Sequence, residues 1–151
     1  MKGSLVLYMV LVCCAACSPY AGLRKKTFSY STAQPSQALR TLVPKRYAKQ
    51  ESTVDSAGNP HQVYRYGNGA FLYFIHTTDT TTLFHPIDTA VNIPLPHPYG
   101  GLMYKGLDSA GRYWREVRTD SFRFGYRFVP EAAEHLFDSA VNYAGMRRFL
   151  D

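Results

Sequence analysis

Residues 121–128, SFRFGYRF, carry an aromatic ring at every second position. In an extended chain Phe122, Phe124, Tyr126 and Phe128 fall on one side, and Arg123, Gly125 and Arg127 on the other. A repeat of two is incompatible with a helix and is the pattern of a half-buried antiparallel strand. At Pro130 the period changes. Ala133, Leu136, Phe137, Ala140, Val141 and Ala144 recur at helical spacing. Pro130 suits a first turn, Glu131 and Glu134 suit the positive end of the helix dipole, and Gly145 suits a stop. Glu131, His135, Asp138 and Asn142 form the opposite stripe and read as the solvated back of this helix. An aromatic strand face beside an apolar helix stripe predicts an α+β fold. We expect a mostly antiparallel sheet of about five to seven strands, with the C-terminal amphipathic helix packed on one face.

Other segments supply the remaining strands. QVYRY (62–66) and AFLYFIH (70–76) flank GNG, and Asn68-Gly69 is preferred chemistry for a tight hairpin turn. The second segment is apolar from Ala70 to Ile75, which predicts a central strand buried on both faces. DSAG occurs twice, at 55–58 and 108–111. An Asp followed three residues later by Gly fits a type I turn with a left-handed glycine, so each copy marks a hairpin. TFSYS (27–31), LMYKG (102–106) and RYWREVR (112–118) read as further strands. QALRTL (37–42), preceded by Pro35 and Ser36 and closed by Pro44, reads as a short helix. Residues 45–61 read as polar and turn-rich, and 85–101, with four prolines, as a long irregular excursion.

The first twenty residues belong to a different kind of segment. Lys2 precedes an apolar run from Leu5 to Val12, then small residues, with all three cysteines at 13, 14 and 17. This order is that of a secretory signal, and the run is too short to cross a bilayer, which takes about 20 residues. Ala15-Ala16-Cys17 resembles the lipobox of bacterial lipoproteins, with Cys14 where that pattern usually has Leu. The resemblance implies cleavage before Cys17, acylation of Cys17 and a lipid-anchored place in the bacterial cell envelope. Ser18 rather than Asp after the cysteine implies the outer membrane. The expected organisation is a signal peptide (1–16), a lipidated tether (17–26) and a single globular domain (27–151). Cys13 and Cys14 would leave with the signal peptide, so the mature domain would rely on its core alone, without disulfides.

The chain has 17 Lys and Arg against 11 Asp and Glu, a net charge of +6. A basic, aromatic-rich cytoplasmic domain would suggest nucleic acid; export argues against that partner. The partners expected are the membrane, through the lipid anchor, and an acidic envelope protein or anionic glycan. Arg24, Lys25 and Lys26 are placed to attract anionic headgroups. No metal site is expected: the histidines lack ligand spacing, and EAAEH (131–135) has one His where zinc helices need two. No cofactor is expected either, because GNG is no dinucleotide fingerprint and PYGGLMYKG is no P-loop. No catalytic residue is assigned: there is no G-x-S-x-G elbow, and acylation of Cys17, as the resemblance implies, would leave the mature chain no free thiol.

Two surface features remain. Arg118, Arg123 and Arg127, with Arg112 and Arg115 nearby, suit carboxylate, phosphate or sulfate groups if strand pairing gathers them. Tyr99, beside Gly100-Gly101 in the Pro-rich excursion, offers a stiff contact. The sequence thus points to a non-enzymatic lipoprotein of binding or assembly type, of which an immunity or inhibitor protein is one form. A small envelope enzyme acting on a glycan or peptide is the alternative.

Overall fold

Aromatic alternation does build a central strand. In a computed structural model, which describes residues 20–31, 37–77 and 94–150, SFRFGYRF forms the middle of a seven-stranded antiparallel sheet. The signal peptide, Cys17, the TTDTTT turn from residue 78 and the excursion up to residue 93 lie outside the described residues. The strands are β1 (Leu23–Ser29), β2 (Ala38–Pro44), β3 (Lys49–Val54), β4 (Pro60–Arg65), β5 (Phe71–His76), β6 (Leu95–Pro96), β7 (Leu102–Leu107), β8 (Tyr113–Arg118) and β9 (Phe122–Val129). The helix α1 (Glu131–Leu150) follows. The large sheet runs β3-β4-β5-β9-β8-β7-β6, while β1 and β2 pair as a separate antiparallel ribbon. The fold class is α+β, with the helix packed against the sheet and the ribbon.

Side-chain parity explains the layers. Phe74 faces Phe124 and Leu72 faces Tyr126 across β5 and β9, all four buried on the helix side. Phe28, Leu39 and Val43 of the ribbon join them, as do Phe137, Ala140, Val141 and Ala144 of α1. β5 is buried at every position from Phe71 to Ile75, as its unbroken apolar run requires. The second face holds Val63, Phe71, Tyr73 and Ile75.

Turn chemistry sets the hairpins. In both DSAG turns the Asp Oδ1 accepts two backbone N–H groups: Ala57 and Asn59 at Asp55 (2.9 and 2.8 Å), Ala110 and Arg112 at Asp108 (2.9 Å each). Gly58 and Gly111 take φ of 85° and 72°, where a Cβ would strain the backbone. They join β3 to β4 and β7 to β8.

Several local expectations change. QALRTL lies largely in β2 rather than in a helix. Leu39 and Val43 enter the core while Leu42 is buried from the other side, so pairing with β1 outweighs a helix of six residues. Residues 49–54, read as turn-rich, form the edge strand β3, exposed at five of six positions, which is why no apolar alternation marks it. Phe128 leaves the aromatic face. Between Tyr113 and Arg115 the pairing slips, so that β9 carries one more residue than β8, and Phe128 adopts φ of 58°. This bulge turns its ring onto Phe71 (5.7 Å), away from the helix, and Val129 takes the vacated core position. Finally, α1 runs through Gly145. A Cβ there would lie 2.5 Å from Cε1 of the buried His97, so the glycine serves close approach, not termination.

Candidate functional site

The β8–β9 register does gather the expected arginines. Arg118 lies opposite Arg123, and Arg127 follows on the same face, away from α1. Their surroundings were not visible in the sequence. Glu116, fully buried between them, accepts hydrogen bonds from Arg118 Nε (2.8 Å) and from the Tyr73 hydroxyl (2.7 Å). Tyr73 stands on β5 and Glu116 on β8, so this contact passes over β9, where Gly125 provides the gap. A Cβ at Gly125 would sit 2.8 Å from Tyr73 Oη and 2.1 Å from the Arg115 carbonyl oxygen. Burial, and then the Glu116 charge, push the Tyr73 phenol well above its usual pKa, so it remains a donor. The Arg118 guanidinium covers the Tyr104 ring (4.5 Å) and Arg127 covers Trp114 (5.3 Å). Arg123 is 4% exposed. Glu116 is an internal counter-ion and the rings are internal platforms, so this face is a packed polar layer. Asp120, in the turn between β8 and β9, pairs with Arg148.

Arg112 and Arg115 lie elsewhere. Arg112 bonds Asp108 within its own turn. Arg115 has the parity of Val117, not of Glu116, and so points under the helix. Its Nη1 and Nη2 bond Asp138 and Asn142 at 2.8 Å each, and the Tyr126 hydroxyl donates to the same Asp138 oxygen (2.8 Å). Half-buried Asp138 and Asn142, which stays exposed, therefore pin α1 to the sheet through Arg115, while Glu131 and His135 are exposed as expected of the stripe.

Tyr99 lies only three residues before Leu102, the register partner of Arg118, but its contacts fall beside α1. Its backbone N–H donates to His97 Nδ1 (3.3 Å), and it lines a hollow of about 180 Å³ with Tyr20, Ser139, Asn142, Tyr143 and Met146. His97 beneath it is held neutral: burial pushes its pKa down, the Arg115 charge adds to this, and Asn142 opposes.

Beside this hollow the chain's first described residues are fastened to the domain. Tyr20 stacks edge-on against Tyr143 (5.8 Å), its carbonyl accepts from Leu23 N–H (3.0 Å), and Gly22 O accepts from Lys45 N–H (2.9 Å). Gly22, at φ 88°, packs against Leu136. Arg24, Lys25 and Lys26, expected in the tether, are therefore residues of β1. Three residue steps separate Cys17 from Tyr20, a reach of about 10 Å at full extension. A second hollow, of about 300 Å³, adjoins: Lys25, Lys26, Thr27, Arg40, Thr41 and Tyr143 line it.

This surface carries a charge imbalance that the whole-chain total conceals. Eight of the 17 Lys and Arg fall in residues 1–50, and all 11 Asp and Glu begin at Glu51; the remainder is thus 9 against 11, or −2. Within β1, β2 and the link to β3, Arg24, Lys25, Arg40, Lys45, Arg46 and Lys49 are exposed and Lys26 half-buried. An acid-free run of fifty residues was the available sequence signal. Comparison with known protein families, curated proteins and solved structures returned no match.

Proposed function

We propose that this is a lipid-anchored bacterial envelope protein of non-enzymatic binding or assembly type, seated on the outer membrane with its basic ribbon toward the bilayer. The observation that carries the reading is the docking of Tyr20 on Tyr143, which brings the start of the domain beside the acid-free ribbon. An acylated Cys17 three steps away would hold that ribbon at the headgroups. Two or more acyl chains give a stable anchor, and each cation near an anionic surface adds about 1 kcal/mol. Tyr20, Tyr99 and Tyr143, with an apolar body and a polar tip each, suit an interfacial position. With the positive charge turned to the bilayer, the anionic partner expected from the composition becomes the membrane's own headgroups and glycans. The other sheet face, with its arginine–aromatic layer, is then turned toward soluble envelope components.

Intact-mass measurement of the protein from a bacterial membrane fraction tests the anchor. The expected species begins at Cys17 with added acyl mass, and Cys17→Ser releases the protein from the membrane. An unmodified chain beginning elsewhere, or a Cys17→Ser variant that fractionates unchanged, refutes the reading.

A further inference from the structure

We propose that Lys25, Arg40 and the Tyr143 hydroxyl form a seat for a phosphate group, filled by the headgroup of an anionic lipid. This rests on the membrane-seated reading above and names what the ribbon recognises there. The register pairs Lys25 with Leu42 and Thr27 with Arg40, so Lys25, Thr27 and Arg40 share one face of the ribbon. Lys25 and Arg40 are diagonal neighbours, a spacing of about 7–8 Å at the backbone, where like charges repel. Neither has a hydrogen bond or ion pair among the described residues, and no carboxylate lines their hollow. Tyr143 of α1 closes the wall; Thr41 also borders the hollow but, paired with Lys26, has the opposite parity to Lys25 and Arg40. Lys26 has the opposite parity, and its ammonium turns away to Gln50 Oε1 (3.2 Å) and the Tyr47 ring (5.1 Å).

Two unpaired cations of one face, a phenol and no acid describe an anion seat rather than a general basic patch. A guanidinium offers two parallel N–H donors to phosphate oxygens, and an ammonium adds a point charge. One phosphodiester would relieve the repulsion between Lys25 and Arg40. Tyr20, seated on Tyr143, ties the hollow to the anchor, so the phosphate within reach is that of the lipid surface.

The test uses the full chain carrying Cys17→Ser, so no acyl group contributes, and its outcome is independent of whether Cys17 is acylated in the cell. Sedimentation with phosphatidylcholine vesicles, with and without phosphatidylglycerol, is measured for three variants whose urea melts match the parent. Lys25→Ala/Arg40→Ala removes the seat. Lys45→Ala/Arg46→Ala removes the same charge from the link that follows the ribbon, outside the seat. Tyr143→Phe removes only the hydroxyl. The expected result is phosphatidylglycerol-dependent binding in which the seat variant keeps at most about a tenth of the affinity left to the control pair. Tyr143→Phe should also weaken it. Equal losses from the two double variants, with Tyr143→Phe silent, would show diffuse attraction and overturn the seat. Inorganic phosphate alone provides the second arm: saturation in the low millimolar range that also displaces the vesicles would make free phosphate the ligand and overturn the lipid assignment.

Discussion

Replacing Asp138 by Ala should loosen the helix from the sheet. Asp138 Oδ1 accepts from both Arg115 Nη1 and the Tyr126 hydroxyl, at 2.8 Å each. Tyr126 is 2% exposed, and burial together with the Asp138 charge raises its phenol pKa, so the hydroxyl stays protonated and loses its acceptor. An unsatisfied buried donor costs about 1–3 kcal/mol. Arg115, its side chain 7% exposed, loses its carboxylate. Breaking a fully buried pair costs about 3–5 kcal/mol. Asp138 is 35% exposed and Asn142 still bonds Arg115, so solvent screening and that remaining bond reduce the figure to about 1–2 kcal/mol. The total is about 3 kcal/mol, against a stability of about 5–15 kcal/mol for a domain. In urea melts the midpoint should fall with m unchanged, and the thermal midpoint should drop by about 10 °C. Asp138→Asn, which keeps an acceptor oxygen, should lose less than half as much. A loss below about 1 kcal/mol for Asp138→Ala would mean that the bridge is open to water and the stripe solvated after all.

Further outcomes follow from the same geometry. Phe124→Ala deletes a fully buried ring facing Phe74 and should cost about 3–5 kcal/mol in urea melts; a shift under 1 kcal/mol would place that ring at the surface. Gly125→Ala should cost about 3 kcal/mol or more, by strain against the Arg115 carbonyl and by parting Tyr73 from Glu116, and Tyr73→Phe in the same chain should restore only part of it. His97 and His76 both have pKa values pushed down by burial, so the folded state binds fewer protons than the unfolded one below the unfolded value of about 6.5. Their contribution is full above that pH and is lost as pH falls through the folded values. The urea midpoint should therefore drop between pH 7.5 and 5, and His97→Gln should flatten that slope; an unchanged slope would show His97 to be solvated.

Those elements that advertised themselves locally were legible. The ring at every second residue of β9, the Asn68-Gly69 turn and the paired Asp and Gly of both DSAG turns each need only a few neighbouring residues to act. The helix was legible for the same reason, its stripe and its entry lying within fifteen residues. What failed depended on distant partners. QALRTL is compatible locally with helix or strand, and β1 decides. Phe128 follows the alternation up to the bulge, which is set by pairing with β8. Arg115 looked like one of five arginines until the parity of β8 sent it under α1, where it recruits Asp138 and Asn142 from what seemed the outer stripe.

The candidate surface was hidden by averaging. A net charge of +6 suggests a diffusely basic molecule, yet the residues after position 50 sum to −2. Segregation alone would not orient a domain on a long tether. A ten-residue flexible linker spans roughly 16–19 Å on average, about two Debye lengths at physiological salt, so its cations would sample mostly screened solution. The docking of Tyr20 leaves three residue steps between it and Cys17, about 10 Å at most, which is comparable with one Debye length of about 8 Å. With the lipid anchor proposed at Cys17, that distance would keep the charge on β1 and β2 within the headgroup field. The proposed seat in the hollow lined by Lys25, Arg40 and Tyr143 would then take one phosphate in place of a smeared attraction. In the proposed arrangement the aromatic contact between Tyr20 and Tyr143 is the step that would convert an uneven charge distribution into an orientation, and the orientation into a binding site.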